Sequence, residues 1–222
     1  WQKGDRKMKA CIFDLDGTLT DTLESLAYSV KATLREMGLP EITTEQCRRF
    51  VGDGAKVLME RSLLAAGEKD LSRLEESLAV YRRIFDENCT YHVTPYQGIP
   101  ELLQSLKEKG VLLAVLSNKP HEQAVKVVKE IFGERWFDYV SGQQEGIEKK
   151  PDPAGVIHIM ETLKLTNEEC LYVGDSEVDV RTGNNAGVRT IIVSWGFRTR
   201  EELKEAGART VIDSPLELLS YM

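Results

Sequence analysis

Residues 12–21 read Ile12-Phe13-Asp14-Leu15-Asp16-Gly17-Thr18-Leu19-Thr20-Asp21. An apolar run ends in two carboxylates two residues apart, followed at once by a Gly-Thr turn. Paired negative charge at a strand tip is costly, because like charges held close oppose each other's ionisation. A divalent cation removes that cost, and Mg²⁺ favours a few carboxylates together with waters and phosphate oxygens. The segment therefore points to metal-assisted phosphoryl transfer. A lone Asp-x-Asp would be read as a solvated acidic turn; the full ten-residue context argues against that.

Working outward, short apolar runs recur at 9–13, 111–116, 139–141, 171–173, 190–193 and 210–212. Amphipathic stretches at 100–109, 122–131, 154–163 and 180–186 alternate with them. Strand and helix in alternation predict an α/β fold, a doubly wound parallel sheet with helices on both faces. A mixed α+β sheet is the alternative from pattern alone.

Residues 21–93 break the alternation with helical periods and no convincing strand. Asp21 with Glu24 reads as a capping pair, and Leu23, Leu26, Ala27, Val30, Leu34 and Met37 fall on one face before Gly38. Thr43 with Gln46 is a second capping signature. Leu71, Leu74, Leu78, Tyr81 and Phe85 keep a helical period to about Cys89. The expected organisation is a discontinuous α/β core, 8–20 and 94–222, with a helical cap over 21–93 that hinges above the first strand tip. Residues 1–7 precede Met8, which looks like a natural start, and read as a tag remnant or an extension.

Ligands of open parallel sheets bind beyond the carboxyl ends of the strands. Other apolar runs also end in apt groups there. One ends in Ser117-Asn118-Lys119, and another in Gly174-Asp175-Ser176-Glu177 with Asp179 just beyond. Lys150 lies in Lys149-Lys150-Pro151-Asp152-Pro153. Each has a bland alternative: Ser117-Asn118 could cap a helix, Gly174-Asp175 could be an ordinary turn, and Lys149-Lys150 could be a solvated pair. Their joint order is what carries weight: carboxylate pair, hydroxyl, lysine, carboxylate.

That order resembles the four motifs of the haloacid dehalogenase-like superfamily, beginning with Asp-x-Asp-Gly-Thr. The resemblance implies a Rossmann-like core and roles for each group. Asp14 is then the nucleophile forming an aspartyl-phosphate, and Asp16 the general acid/base. Gly17 permits the tight turn, and Thr18, placed with the substrate-side residues, helps fix Asp16 by hydrogen bonding. Mg²⁺ would be held by the Asp14 carboxylate, the Asp16 backbone carbonyl and Asp175, with Asp179 supporting the metal's water shell or holding Lys150. Ser117 and the Asn118 amide would grip phosphate oxygens, and Lys150 would neutralise charge, the main device of phosphoryl transfer. Haloacid dehalogenases themselves use no metal and lack the second carboxylate, so Asp16 points to phosphoryl chemistry.

The helical insert resembles the cap of the phosphoglycolate phosphatase-like and β-phosphoglucomutase-like subgroup. Arg48-Arg49-Phe50-Val51-Gly52-Asp53-Gly54 carries a Gly-x-Gly turn, followed by a helix through Lys56 and Arg61. In that subgroup the equivalent loop faces the active site, which makes Arg49, Gly52, Gly54 and Lys56 candidates for the substrate's other end. A plain interhelical turn is the alternative. His121 reads as structural or solvated. The resemblance implies a phosphatase for a small phosphorylated metabolite, phosphoglycolate first. A phosphomutase and a pyrophosphatase are the rivals.

Composition sets the outer bounds. The chain has 222 residues and a formal net charge of −7, which argues against a nucleic-acid binder. No apolar run reaches membrane-spanning length and no signal peptide is evident, so no membrane partner is expected. Cys11, Cys47, Cys89 and Cys170 form no C-x-x-C pair and read as reduced, hence cytoplasmic. Oligomeric state stays open between a monomer and a weak dimer.

Overall fold

The structure is a computed structural model that describes residues 8–222. The chain runs β1 (Ala10–Phe13), β2 (Thr20–Asp21), α1 (Leu23–Glu36), α2 (Thr44–Phe50), α3 (Ala55–Ala65), α4 (Leu74–Asn88), β3 (Thr94–Pro95), α5 (Ile99–Glu108), β4 (Leu112–Pro120) and α6 (His121–Phe132). It continues through β5 (Tyr139–Gln143), α7 (Ala154–Leu163), β6 (Cys170–Gly174), α8 (Glu177–Ala186), β7 (Arg189–Val193), α9 (Arg200–Glu205) and β8 (Val211–Ile212). Six strands form one parallel sheet in the order β5-β4-β1-β6-β7-β8. The predicted α/β class and its doubly wound sheet are what the chain adopts.

The alternation of strand side chains explains the two-sided core. Cys11, Phe13, Leu113, Val115, Leu171 and Val173 enter one apolar cluster, while Ala10, Ile12, Ala114, Leu116 and Tyr172 enter another on the opposite face. β1 lies between β4 and β6, with Phe13 in register with both Val115 and Val173. Successive strands are added on one side of β1 and then on the other. β1 is thus the switch point of the sheet, where ligands of such folds bind. The residues after Phe13, Val115 and Val173 emerge side by side.

Helices α1 to α4 occupy the stretch between β2 and β3, and the predicted helical content there is observed. The Thr43–Gln46 capping box forms as expected. Asp21 with Glu24 does not cap α1. The N-cap is Thr22, without a side-chain bond; Asp21 Oδ1 instead accepts from Leu23 N, and Glu24 pairs with His92. The sequence pattern missed a two-stranded antiparallel ribbon, β2 with β3, which ties the two ends of the helical segment together. Each strand has only two residues, too few to show a period. β4 also exceeds its predicted run: the backbone stays extended through Ser117-Asn118-Lys119-Pro120, with an irregular register against β5.

Among the described residues, no helix is long and apolar enough to cross a membrane. All four cysteines are buried free thiols. Expectations for residues 1–7 lie outside the described residues.

Candidate active site

Three strand-end segments and one loop converge at the carboxyl edge of the sheet. Asp14 follows β1 directly, Ser117 sits in the extended tail of β4, and Asp175 follows β6. Lys150 reaches in from the loop before α7. All four are buried. Lys150 Nζ lies 2.7 Å from Asp14 Oδ1 and 2.8 Å from Asp179 Oδ1. Asp14, Asp175 and Asp179 each offer an oxygen within 4.8 Å of the others.

Asp179 is the most fully engaged of the three. Its Oδ1 accepts from Lys150 Nζ and from the Tyr172 hydroxyl at 2.7 Å. Its Oδ2 accepts from Ser176 Oγ at 2.6 Å and from the Asp175 and Ser176 amides. Burial works to raise its pKa, but the Lys150 charge and these hydrogen bonds outweigh it and hold the carboxyl below its ordinary range. Asp14 goes the other way: burial, only partly offset by Lys150 and reinforced by Asp179 and Asp175, pushes it well above the usual carboxylate value. Asp175 is pushed up to about 7, by burial first and the Asp179 charge second. Burial disfavours the Lys150 ammonium, yet Asp14 and Asp179 more than compensate, so it stays charged. Two buried carboxyls resisting ionisation beside hard oxygen donors form a set that a divalent cation fits. Asp14 commits one oxygen to Lys150, and Asp175 commits one to the Phe197 amide at 2.7 Å. Asp179 has the least capacity left, which suits the supporting part expected of it.

Glycine makes this density possible. Gly17 has φ +89°, and a Cβ there would overlap the Asp175 carboxylate. A Cβ on Gly196 would strike the same carboxylate and the Gly17 carbonyl.

A cavity separates the strand tips from the helical segment. Asp14, Asp16, Ser117, Asn118, Lys119, Lys150 and Asp175 line its floor. Leu26, Val51, Gly52, Gly54, Leu58, Tyr81 and Phe85 line its roof. The Gly-x-Gly turn comes down onto the site as expected. Asn118 Nδ2 donates to Gly52 O at 3.0 Å, and a Cβ on Gly54 would sit 3.3 Å from Asn118 O, at φ +87°. The rest of the Asn118 side chain ties down the Lys150 backbone, donating to its carbonyl and accepting from its amide.

Three candidates depart from expectation. Arg49 is largely exposed and pairs with Glu45 at 3.1 Å, and Lys56 is exposed; neither lines the cavity. Thr18 is buried, but its hydroxyl finds no hydrogen-bond partner and does not fix Asp16; its carbonyl accepts from Trp195 Nε1. The residue that does meet Asp16 is Lys119, at 2.8 Å.

A model of the family described as haloacid dehalogenase-like hydrolase matches residues 11–193. The chain belongs to this family. It is 37% identical to a phosphoglycolate phosphatase of Aquifex aeolicus over 190 residues, 86% of each protein. It is 34% identical to a phosphoglycolate phosphatase of Pseudomonas syringae pv. tomato, covering 95% of this chain and 78% of that one. Among solved structures, a candidate phosphoglycolate phosphatase from Lactobacillus delbrueckii subsp. bulgaricus superposes with a TM-score of 0.92 at 31% identity, covering 97% of this chain and 98% of that one. CbbY from Rhodobacter sphaeroides, in complex with phosphate, gives 0.80 at 26%, covering 95% and 96%. Family and relatives together make this haloacid dehalogenase-like hydrolase a phosphoric monoester hydrolase.

Sequence reading left several of the site's residues without a part. Tyr172 lies in the apolar run 171–173, where nothing marks it out, but its hydroxyl serves Asp179. Lys119 follows Ser117 and Asn118 at the end of an apolar run, and a basic residue at a strand end on the site's edge is the signal that could have flagged it. Trp195-Gly196-Phe197-Arg198 follows β7 and forms a further loop on the same sheet edge, which its position beyond a strand end could have flagged.

Proposed function

We propose that this hydrolase is a Mg²⁺-dependent phosphatase acting on phosphoglycolate through an aspartyl-phosphate on Asp14. The observation that carries the reading is the Asp14–Lys150 pair, 2.7 Å apart and buried beneath a cavity closed by the helical segment. A carboxylate so placed is stripped of water and lines a cavity in which a substrate fits. The names of the relatives favour phosphoglycolate, and the small, mainly apolar roof suits a short tail.

In the first step Asp14 attacks phosphorus, forming a carboxyl O–P bond as the ester P–O bond breaks. Asp16 gives its proton to the departing oxygen. In the second step Asp16 takes a proton from water, whose oxygen attacks the phosphoryl group and frees Asp14. Ser117 and the Asn118 backbone amide hold phosphoryl oxygens, and Lys150 balances charge on Asp14 and the phosphoryl group. Asp14, Asp175 and the Asp16 carbonyl are the groups that would hold Mg²⁺. When bound it supplies positive charge against the phosphoryl oxygens. Residues 21–93 act as a cap whose closure excludes water. Four buried free thiols support a reducing, cytoplasmic setting.

The test is phosphate release from a panel of small phosphomonoesters with Mg²⁺. Phosphoglycolate should give the highest kcat/KM by at least about tenfold. Interconversion of a sugar phosphate without release would mark a mutase instead, and full activity in excess chelator would remove the metal.

A further inference from the structure

We infer that Lys119 is the specificity-determining residue that receives the substrate's carboxylate, which makes the preferred class small phosphomonoesters bearing a carboxylate one carbon from the ester oxygen. The inference rests on the phosphatase reading above, with Asp16 as proton donor to the leaving oxygen.

The Lys119 side chain is only 1% exposed, and its Nζ sits 2.8 Å from Asp16 Oδ1. The angles fall outside hydrogen-bond geometry, so neither buried atom has a hydrogen-bond partner. An ammonium with unused donors in a low-dielectric pocket is costly. The Phe85 ring, whose centroid is 4.8 Å from Nζ, offsets part of that cost without supplying an acceptor. The other cations on the cavity are taken. Lys150 is bound to Asp14 and Asp179, and Arg198 to Glu177 and two backbone carbonyls. Among the described residues lining the cavity, Lys119 is the cation whose charged nitrogen makes no hydrogen bond, whereas Lys150 donates to Asp179 and Arg198 to Glu177 and Val51.

Its position fixes which part of a substrate it meets. Lys150 stands beside Asp14, on the phosphoryl side. Lys119 stands beside Asp16, on the leaving-group side. A leaving oxygen hydrogen-bonded to Asp16 brings the carbon next to it, and any carboxylate on that carbon, within reach of an ammonium already against Asp16. The roof beyond offers Leu26, Leu58, Tyr81 and Phe85, none of which carries a positive charge to balance an anion.

The experiment compares phosphoglycolate with 2-hydroxyethyl phosphate, which keeps the skeleton and replaces the carboxylate by a neutral alcohol. kcat/KM is measured on both for the wild type, Lys119→Met and Lys119→Gln. The wild type should prefer phosphoglycolate, and both substitutions should cut that preference on the order of a hundredfold, chiefly through KM. A lysine that merely positions Asp16 would lower both substrates alike. An unchanged ratio therefore overturns the assignment while leaving the phosphatase reading intact. A wild type that releases phosphate from both esters without preference overturns carboxylate recognition and the phosphoglycolate reading together. Release from neither defeats the phosphoglycolate reading on which the assignment rests. If the variants turn over too slowly to compare, calorimetric binding of the two ligands to Asp14→Asn, with and without Lys119→Met, reads the same ratio; equal weakening of both ligands counts against the proposal.

Discussion

Arg198 holds the backbone of Arg48 across the cleft, and Arg48 in turn holds the carbonyl of the residue before Arg198. Arg48 Nη1 donates to Phe197 O at 2.6 Å, while Arg198 Nη1 donates to Arg48 O at 3.3 Å and its Nη2 to Val51 O at 2.7 Å. Each guanidinium is also gripped by a carboxylate on its own side, Arg48 by Glu45 and Arg198 by Glu177. Phe197, between them, donates its amide to Asp175. One short loop thus joins the carboxylate cluster to the end of α2.

Arg198→Ala should loosen this closure. Hydrogen bonds from a charged group are worth about 1.5–3 kcal/mol each, so the closed state loses on the order of tenfold or more in population. Faster amide exchange over residues 48–54 and a raised KM for phosphoglycolate are the expected readouts. Unchanged exchange would show that the segment is held by apolar packing alone.

Asp14→Asn should abolish turnover, by at least about a thousandfold, because the amide cannot form the covalent intermediate. The fold should persist, since the substitution is isosteric and removes a carboxylate whose ionisation burial already opposes. Phosphate release and the thermal midpoint measure the two parts. Residual activity of more than a few per cent would rule out Asp14 as nucleophile.

Asp175 sets a pH dependence on the metal-free protein. Its carboxyl rises from an ordinary 3.8 to about 7, so the folded state keeps a proton that the unfolded chain has released. This contribution to stability is complete below about pH 3.8 and is lost as pH rises through 7. The metal-free midpoint should therefore fall between pH 5.5 and 8, and fall less in Asp175→Asn. A pKa unit is about 1.4 kcal/mol, enough to move the midpoint ~2–4 °C in a chain of this size. Added Mg²⁺ should restore the midpoint at pH 8 in the wild type and not in Asp175→Asn.

Lys150→Met should destabilise the protein by about 3–5 kcal/mol at pH 8, because Asp14 and Asp179 lose the charge that lets them stay buried. Urea unfolding measures this. The loss should shrink at pH 5, where the stranded carboxyls can protonate. A loss that does not vary with pH would mean that packing, rather than charge, fixes Lys150.

The parts of this protein that the sequence determined are the local ones. Short apolar runs, helical stripes, breaker residues and the Thr43–Gln46 cap depend on neighbours a few residues away. The alternation of elements, and which groups stand at strand ends, could therefore be read directly. The tertiary structure decided which of those ends meet. The bonds of Asp179 to Ser176 are a local capping box, but nothing near it in sequence says that it also holds Lys150, because that contact depends on how the loop before α7 packs against the end of β6. Arg48 and Arg49 are equivalent as letters, and both pair with Glu45, but adjacent helix positions point about 100° apart, so only Arg48 also reaches the Phe197 carbonyl while Arg49 stays in solvent. Lys119 shows the same limit. Local pattern placed it at the end of an apolar strand; only the packing of α4 over that end buried its charge beside Asp16 and left it without an acceptor.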